Sequence, residues 1–298
     1  MKCDSCIFSR GIISENGRHS ACCLSESEAR ECITGTVNYF KTIERKEKTM
    51  NQPTGCKRKE KQTIASRLTT LRPAKRKASL KPIPKAFSIK AGMPPVYYQH
   101  YGNCTSNAVL GCDHYIYHRE SPTWDPSTTF AYYCQKAADH DLKADDGSTV
   151  EMALKTTKKR GACSSKIWPN TEPWNKKPSP EAYENGLKGK EIKKWYILKS
   201  FKQMKQALSS GYPVAAAVAW CFKSIDPTTF VMNSPTDKEI DKCISGHAIV
   251  IVGYDDTTKL VEFRNSWSDQ WGNQGYGYMA YETFKRVIWW DDTYAVIK

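Results

Sequence analysis

The chain has 298 residues, of which 40% are hydrophobic and 26% charged, and its formal net charge is +14. This composition excludes a disordered or fibrous protein and allows one sizeable domain or two modest ones. The longest apolar run, residues 213–222, is far shorter than the roughly 20 residues of a membrane-spanning helix, so no membrane partner is expected.

The positive charge is concentrated in one stretch of the chain. Residues 41–90 carry 16 basic and 3 acidic side chains, whereas residues 91–298 carry 25 and 23. Such an asymmetry is typical of a basic tether with a polyanionic partner, such as nucleic acid, rather than of a basic globular fold.

Residues 1–40 form a cysteine-rich segment that is too short to bury a core of its own. Its first residues, MKCDSC, lack the apolar stretch of a secretory signal, so a reducing cytoplasm is the expected location. Four thiolates can hold a tetrahedral structural zinc, and His19 adds one more candidate ligand. We predict a zinc-binding module formed by four of the five cysteines, with disulfides or free thiols as the alternatives. These cysteines are Cys3, Cys6, Cys22, Cys23 and Cys32.

Residues 41–90 are predicted to form an extended, solvated linker, because they are rich in lysine and arginine and interrupted by prolines. Ile64, Leu68 and Leu71 lie at helical spacing, which is compatible with a short amphipathic helix that forms on docking. Three interpretations stay open for this stretch: a charged linker, a nucleic-acid-binding tether, or an inhibitory pro-segment that is cleaved off. Met50 is a candidate alternative start.

The predicted folded body spans residues 91–298. Its first half shows helical patterns over 104–118, 126–141 and 147–161, each opened by a capping residue type. Its second half contains a helix that ends at Gly211, a buried strand, and a hairpin of two apolar strands around a polar turn. A helical half followed by a β half predicts an α+β protein with two lobes.

Cys104 is a candidate nucleophile. Asn103 is a good N-cap, so Cys104 is expected in the first turn of a helix, where unpaired N–H groups favour the thiolate. Read alone, the pattern also fits a small buried cysteine.

The hairpin supplies two partners for this thiol. If its turn centres on Asp256 and holds no bulge, His247 and Asn265 lie directly opposite each other, close enough for the amide oxygen to accept the imidazole N–H. A histidine oriented in this way can take a thiol proton and later deliver it to a leaving amine. The pattern predicts a Cys-His-Asn triad, whereas a core histidine satisfied by its strand neighbour is the alternative.

Three blocks, "YGNCTSNA", "SGHAIVIVGYDD" and "FRNSWSDQWGNQGYGYM", resemble the signature blocks of papain-like cysteine peptidases, in the right order. Within this family, the stretch "DDGSTVEMALKTTKKRGACSSKIWP" resembles the microbial and viral members more than the plant and animal ones. The resemblance implies a helical left lobe bearing Cys104 and a β-rich right lobe bearing His247 and Asn265, with a polypeptide substrate in the cleft between them. It implies no catalytic cofactor.

The resemblance also implies roles for residues around the triad. Trp267 stands where the family's indole covers the His–Asn hydrogen bond. The family's oxyanion-hole glutamine lies six residues before the cysteine, where this chain has Tyr98, and Gln99 follows it. Gln99 is expected to take the role through a shorter turn; the alternative is an incomplete hole. Residues 146–148 are expected to line the cleft.

The sequence therefore predicts a thiol peptidase that hydrolyses peptide bonds through an acyl-enzyme on Cys104. The same chemistry serves deamidation or transfer to another amine. The alternative is an inactive papain-like scaffold that binds nucleic acid, or associates with a virion, through the basic segment at 41–90.

Overall fold

The computed structural model describes residues 52–59, 82–118, 124–189 and 192–297. All of them belong to one unit, Thr49–Lys298. The five cysteines predicted to bind zinc and the predicted helix at Ile64–Leu71 lie outside the described residues, so both remain predictions.

The first half of the described chain is helical, and its helix ends are the ones that the sequence indicates. The side chain of Ser127 accepts a hydrogen bond from the N–H of Phe130, and that of Thr149 accepts one from Met152. Gly161 ends its helix with a φ of 73°, a conformation that favours glycine. The helices are α1 (Cys104–Asp113), continued by a π-helical turn (His114–His118), α2 (Thr128–Ala138), α3 (Val150–Arg160), α4 (Pro180–Lys188), α5 (Phe201–Ser209), α6 (Asp237–Asp241) and α7 (Tyr281–Val287), with a 3₁₀ turn at Lys90–Gly92.

The described strands form one antiparallel sheet. They are β1 (Ala86–Ser88), β2 (Lys194–Ile197), β3 (Val214–Ala219), β4 (Gly246–Asp255), β5 (Leu260–Arg264), β6 (Tyr276–Ala280) and β7 (Ile288–Ile297). Their order is β2-β7-β3-β4-β5-β6, and β1 pairs with β4. β3 and nearly all of β4 are buried because they lie in the middle of the sheet, and α1 packs against β4 and α3. This architecture confirms the α+β class.

The β4–β5 hairpin differs in register from the prediction. Val250 pairs with Arg264, and a bulge shifts the pairing before Gly253. The polar turn also lies later than predicted, because β4 continues to Asp255 and β5 begins at Leu260. The prediction that His247 and Asn265 are direct cross-strand neighbours is therefore wrong, although their side chains still meet.

The folded body begins before residue 91. Phe87 pairs with Tyr254 of β4, and the N–H of Ile89 donates to the carbonyl of Val252 over 2.8 Å. The predicted solvated linker is therefore wrong for β1, because the edge of β4 satisfies its backbone groups.

Residues 52–59, also within the predicted linker, pack on the body as well. The backbone of Cys56 forms a parallel bridge with Ser148, and Cys56 is only 4% exposed. We call residues 52–59 the covering segment. The rest of the range 41–81 lies outside the described residues, so its predicted nucleic-acid binding stays a prediction.

Candidate active site

Cys104 is the first residue of α1 and is completely buried. Asn103 occupies the predicted N-cap position, but its side chain does not cap the helix. Its Nδ2 donates instead to Oγ1 of Thr128 over 3.3 Å, and its Oδ1 accepts from Nδ2 of Asn107 over 3.2 Å. These bonds tie the start of α1 to the start of α2 and so fix the position of the thiol.

The thiol lies beside the strand that carries the histidine. The backbone N–H of Ala248, the residue after His247 in β4, donates to Sγ of Cys104 over 3.3 Å. On its other edge β4 pairs with β3, where Val218 lies opposite His247. The helical half and the sheet thus contribute one functional group each to the same place.

His247 and Asn265 are joined by a direct hydrogen bond. Nε2 of His247 lies 2.8 Å from Oδ1 of Asn265. The same Oδ1 accepts the N–H of Ser266 over 2.8 Å, which fixes the orientation of the amide. Nε2 is therefore the donor, and a neutral ring has its acceptor at Nδ1. Among the described residues, Nδ1 is buried without a hydrogen-bond partner, so it is free to take a proton.

Two tryptophans surround the imidazole. The ring of Trp267 stacks on His247 with centroids 4.8 Å apart, and Trp220 meets the same ring edge-on at 4.6 Å. Both indoles are nearly buried. They keep water away from the His–Asn hydrogen bond, and a dry hydrogen bond orients the ring better than a wet one.

Gln99 is completely buried, whereas Tyr98 is 49% exposed. The backbone N–H of Gln99 donates to the carbonyl of Ser266 over 2.8 Å, and the hydroxyl of Ser266 donates to Oε1 of Gln99. Nε2 of Gln99 donates to the carbonyls of Pro53 (2.6 Å) and Tyr101 (3.0 Å). The amide is thus held next to the segment that precedes Cys104, with a donor turned toward the covering segment.

Burial dominates the ionisation of both reactive groups. It raises the pKa of Cys104 to about 12, although the N–H groups of Ala248, Gly55 and Thr105 act in the opposite direction. Burial also lowers the pKa of His247 to about 4, against the effect of Asn265. The expected preference for thiolate at the helix start is therefore outweighed by desolvation in this covered site.

The covering segment lies directly over these groups. The carbonyl of Pro53 accepts from Nε2 of Gln99 and, over 3.2 Å, from the indole of Trp267. The N–H of Gly55 acts on the thiol of Cys104 and lowers its pKa against the effect of burial. Backbone groups of the same chain therefore occupy the side-chain donors of Gln99 and Trp267, and they also lie next to the sulfur of Cys104.

The backbone of the covering segment continues along both walls of the cleft. The N–H of Ser148 donates to the carbonyl of Gly55 (2.8 Å), and the carbonyl of Ser148 accepts from Lys57 (2.7 Å). Opposite, the N–H of Cys56 donates to the carbonyl of Gly246 over 2.9 Å. Ser148 thus lies at the cleft, as predicted for residues 146–148.

A sequence model described as the Peptidase_C39 like family matches residues 127–296, more than half of the chain. The chain belongs to this family. The match includes His247 and Asn265 and begins after Cys104, so the family model alone does not cover the thiol.

A curated relative supports the same assignment for this Peptidase_C39-like chain. An uncharacterized peptidase C1-like protein of Acanthamoeba polyphaga mimivirus is 31% identical over 197 residues. The match covers 61% of this chain and 62% of the relative, so the chain matches less than two thirds of that protein's length.

Solved cysteine proteases share the fold. Xylellain, a cysteine protease from Xylella fastidiosa, has a TM-score of 0.67 and 23% identity, covering 82% of this chain and 96% of its own. Digestive procathepsin L 3 of Tenebrio molitor has a TM-score of 0.54 and 15% identity, covering 90% and 86%. The bromelain protease from Ananas comosus has a TM-score of 0.55 and 18% identity, covering 72% and 100%. These matches show the predicted papain-like fold.

Lysine side chains fasten the covering segment of this family member to its body. Nζ of Lys57 pairs with Asp141 (2.9 Å) and Asp146 (2.8 Å), and both carboxylates also pair with the buried Lys136. Lys59 pairs with a second group of acidic residues next to α3. Sequence reasoning missed these pairs because the basic residues stand in a stretch whose composition predicts solvation.

The thiols of the body are unpaired in the described part of the chain. Cys112, Cys134 and Cys163 are buried and free, whereas Cys221 and Cys243 are free and half-buried. Within residues 52–59, 82–118, 124–189 and 192–297, no three His, Cys, Asp or Glu side chains are arranged to hold a metal ion. No helix in those same ranges has the length and apolar character to cross a membrane.

Proposed function

We propose that this chain is a thiol peptidase that hydrolyses peptide bonds through an acyl-enzyme on Cys104. The observation that carries the proposal is the arrangement of three side chains: a buried thiol beside β4, an imidazole on β4, and an amide bonded to Nε2 of that imidazole. This arrangement supports the Cys-His-Asn triad over the alternative of a core histidine without a role. The named family and the cysteine proteases of the same fold support it independently.

The first half-reaction forms a thioester. Nδ1 of His247 takes the proton of Cys104, and the thiolate attacks the carbonyl carbon of the scissile bond. The carbonyl oxygen becomes an oxyanion, which the N–H of Cys104 and Nε2 of Gln99 stabilise. The C–N bond then breaks, and His247 delivers its proton to the leaving amine.

The second half-reaction releases the acid. Nδ1 of His247 takes a proton from water, whose oxygen attacks the thioester carbon, and the thiolate leaves and regains its proton. Asn265 keeps Nε2 as the donor throughout, so that Nδ1 stays directed to the chemistry. An amine in place of water gives transfer instead of hydrolysis, which is the related activity that the same groups support.

The described conformation is the covered form of this enzyme in our proposal. A substrate carbonyl needs the donor of Gln99, which Pro53 holds here, and access to the sulfur, which Gly55 faces. The covering segment must leave before a polypeptide can enter. This favours the interpretation of residues 41–90 as an inhibitory segment over that of a plain linker, at least for residues 52–59.

The inactive-scaffold alternative receives less support. A scaffold has no need of a complete triad, yet all three groups are present: the thiol lies beside the strand of the imidazole, and the imidazole is bonded to the amide. Lys57 and Lys59, which the tether hypothesis assigns to a polyanion, are committed to carboxylates of the body in this form.

Covalent labelling tests the proposal. An epoxysuccinyl or iodoacetamide reagent is applied to the full chain carrying Lys57→Ala and Lys59→Ala, and to the same chain with Cys104→Ala. We expect an adduct on Cys104 and cleavage of a peptide library by the first protein only. A folded, uncovered protein that forms no adduct on Cys104 and cleaves no peptide would show that the proposed function is wrong.

A further inference from the structure

Lys59 of the covering segment fills a pocket of acidic and hydroxyl groups. Its Nζ lies 2.5 Å from Oε2 of Glu151, 3.2 Å from Oδ1 of Asp292 and 2.5 Å from the hydroxyl of Tyr294. It also donates to the carbonyl of Asp291 over 3.0 Å. The Asp292 side chain is 1% exposed and the Lys59 side chain 14%, so the ammonium is largely withdrawn from water.

The fold builds this pocket around the start of α3. The carboxylate of Asp292, on β7, accepts the N–H groups of Val150 (2.8 Å) and Glu151 (3.0 Å). Val150 stands two residues after Ser148, whose backbone binds the covering segment. The acidic pocket is therefore part of the cleft wall that holds a peptide.

The residue of the covering segment that pairs with Ser148 lies near the pocket. Cys56 pairs with Ser148, is 4% exposed, and lies close enough to Asp292 for that carboxylate, after burial itself, to raise the pKa of its thiol. Cysteine is short. A lysine or arginine side chain in its place is several bonds longer and extends toward the carboxylates that Lys59 occupies now.

We propose that the pocket of Glu151, Asp292 and Tyr294 selects a lysine or arginine side chain of the polypeptide substrate, at the residue that pairs with Ser148, and that Lys59 holds this place in the covered form. The inference rests on the proposed peptidase function. The carboxylate of Asp292 is buried and has lost its water, so a neutral substrate side chain leaves it without an ammonium partner. Specificity then follows from both attraction to a basic side chain and rejection of a neutral one.

The cleavage test uses pairs of peptides that differ only in lysine against norleucine, which keeps the aliphatic chain and removes the charge. The lysine is moved through each position near the scissile bond. The enzyme is the full chain with Lys57→Ala and Lys59→Ala, with and without Glu151→Gln. Glu172→Gln is the matched control, because Glu172 also forms an i,i+4 pair with a lysine but lies elsewhere.

We expect lysine at one position to raise kcat/KM by about tenfold or more over norleucine, as charge-assisted hydrogen bonds in a desolvated site do. Glu151→Gln should remove most of this preference through KM, whereas Glu172→Gln should keep it. Equal rates for lysine and norleucine at every position would overturn the inference. The same preference for lysine in Glu151→Gln and Glu172→Gln would overturn it as well. Absence of all cleavage and labelling would instead count against the proposed function.

A binding measurement tests the pocket without turnover. A peptide with the sequence of residues 52–59 is added to the same uncovered chain carrying Cys104→Ala, and its affinity is compared with that of the peptide in which norleucine replaces Lys59. A loss of about tenfold in affinity is expected for the norleucine peptide. Equal affinity of the two peptides would overturn the assignment of the pocket even if the enzyme were inactive.

Discussion

The N–H of Gly55 lies near enough to Cys104 to lower the pKa of its thiol against the effect of burial, although the two residues stand 49 positions apart in the sequence. The carbonyl of Gly55 is engaged as well, by the N–H of Ser148. One glycine thus joins the proposed nucleophile to the wall of the cleft. Only a residue without a side chain fits, because a Cβ at position 55 would lie 2.1 Å from the carbonyl oxygen of Gly102.

Gly55→Ala is therefore expected to release the covering segment while the peptidase body stays folded. Overpacking of this kind costs about 1–3 kcal/mol, so the uncovered population should rise by roughly 5- to 150-fold. The rate of Cys104 alkylation in the full chain measures the change. Thermal unfolding serves as the control and should move little. An unchanged alkylation rate would mean that the segment does not limit access to the thiol.

The ion pairs of Lys57 and Lys59 predict a second way to loosen the cover. The pairs of Lys57 are partly exposed, so salt should weaken them, whereas the more buried pairs of Lys59 are screened less. Alkylation of Cys104 should rise between low and high sodium chloride in the natural chain and change much less after Lys57→Ala and Lys59→Ala. Arg58→Ala is the matched control, since Arg58 lies over the ring of Trp289 and forms no ion pair among the described residues. A control as sensitive as the double variant would contradict this explanation.

The covered site predicts an unusual pH dependence of alkylation. Burial raises the pKa of Cys104 to about 12, so the neutral thiol persists through neutral pH and the reactive thiolate appears only in strongly basic solution. Uncovering returns water and removes the main cause of the shift. The apparent pKa from the alkylation rate of Gly55→Ala should then be clearly lower than that of the natural chain. Identical profiles would show that the covering segment is not the source of the desolvation.

Much of the framework could be predicted because its signals are local. Capping side chains such as Ser127 and Thr149, and the left-handed Gly161, mark helix ends through bonds within a few residues. The triad was predicted from short motifs in which the functional residue and its neighbours stand together. The hairpin register was not, because a bulge after Ile251 and a later turn change the pairing without changing the apolar pattern.

The covering segment and the acidic pocket escaped prediction for a different reason. The covering segment binds through main-chain groups of Pro53, Gly55 and Cys56, and main-chain groups carry no sequence signal. Its charged side chains resemble those of a solvated linker. Asp292 meets the N–H of Glu151 across 141 residues. Only the completed sheet, which places β7 next to the start of α3, shows that this acid belongs to the cleft.

Gln99 provides the sharpest prediction, because one substitution should change two measured rates in opposite directions. These are the rate of Cys104 alkylation and the rate of peptide cleavage. Its Nε2 donates to the carbonyl of Pro53 in the covered form and is proposed to donate to the oxyanion during catalysis. Gln99→Ala should therefore loosen the covering segment and raise the rate of Cys104 alkylation in the full chain.

In the Gly55→Ala background the covering segment is already displaced. There the same substitution should lower kcat for peptide cleavage by about a hundredfold or more, as loss of an oxyanion donor does. The change in KM should be small. Gln99 also holds Ser266 through Oε1, so Ser266→Ala in the same background serves as the control for a purely structural effect. If Ser266→Ala lowers kcat as much as Gln99→Ala does, the oxyanion role is wrong, and Gln99 only supports the residues after β5, which include Asn265.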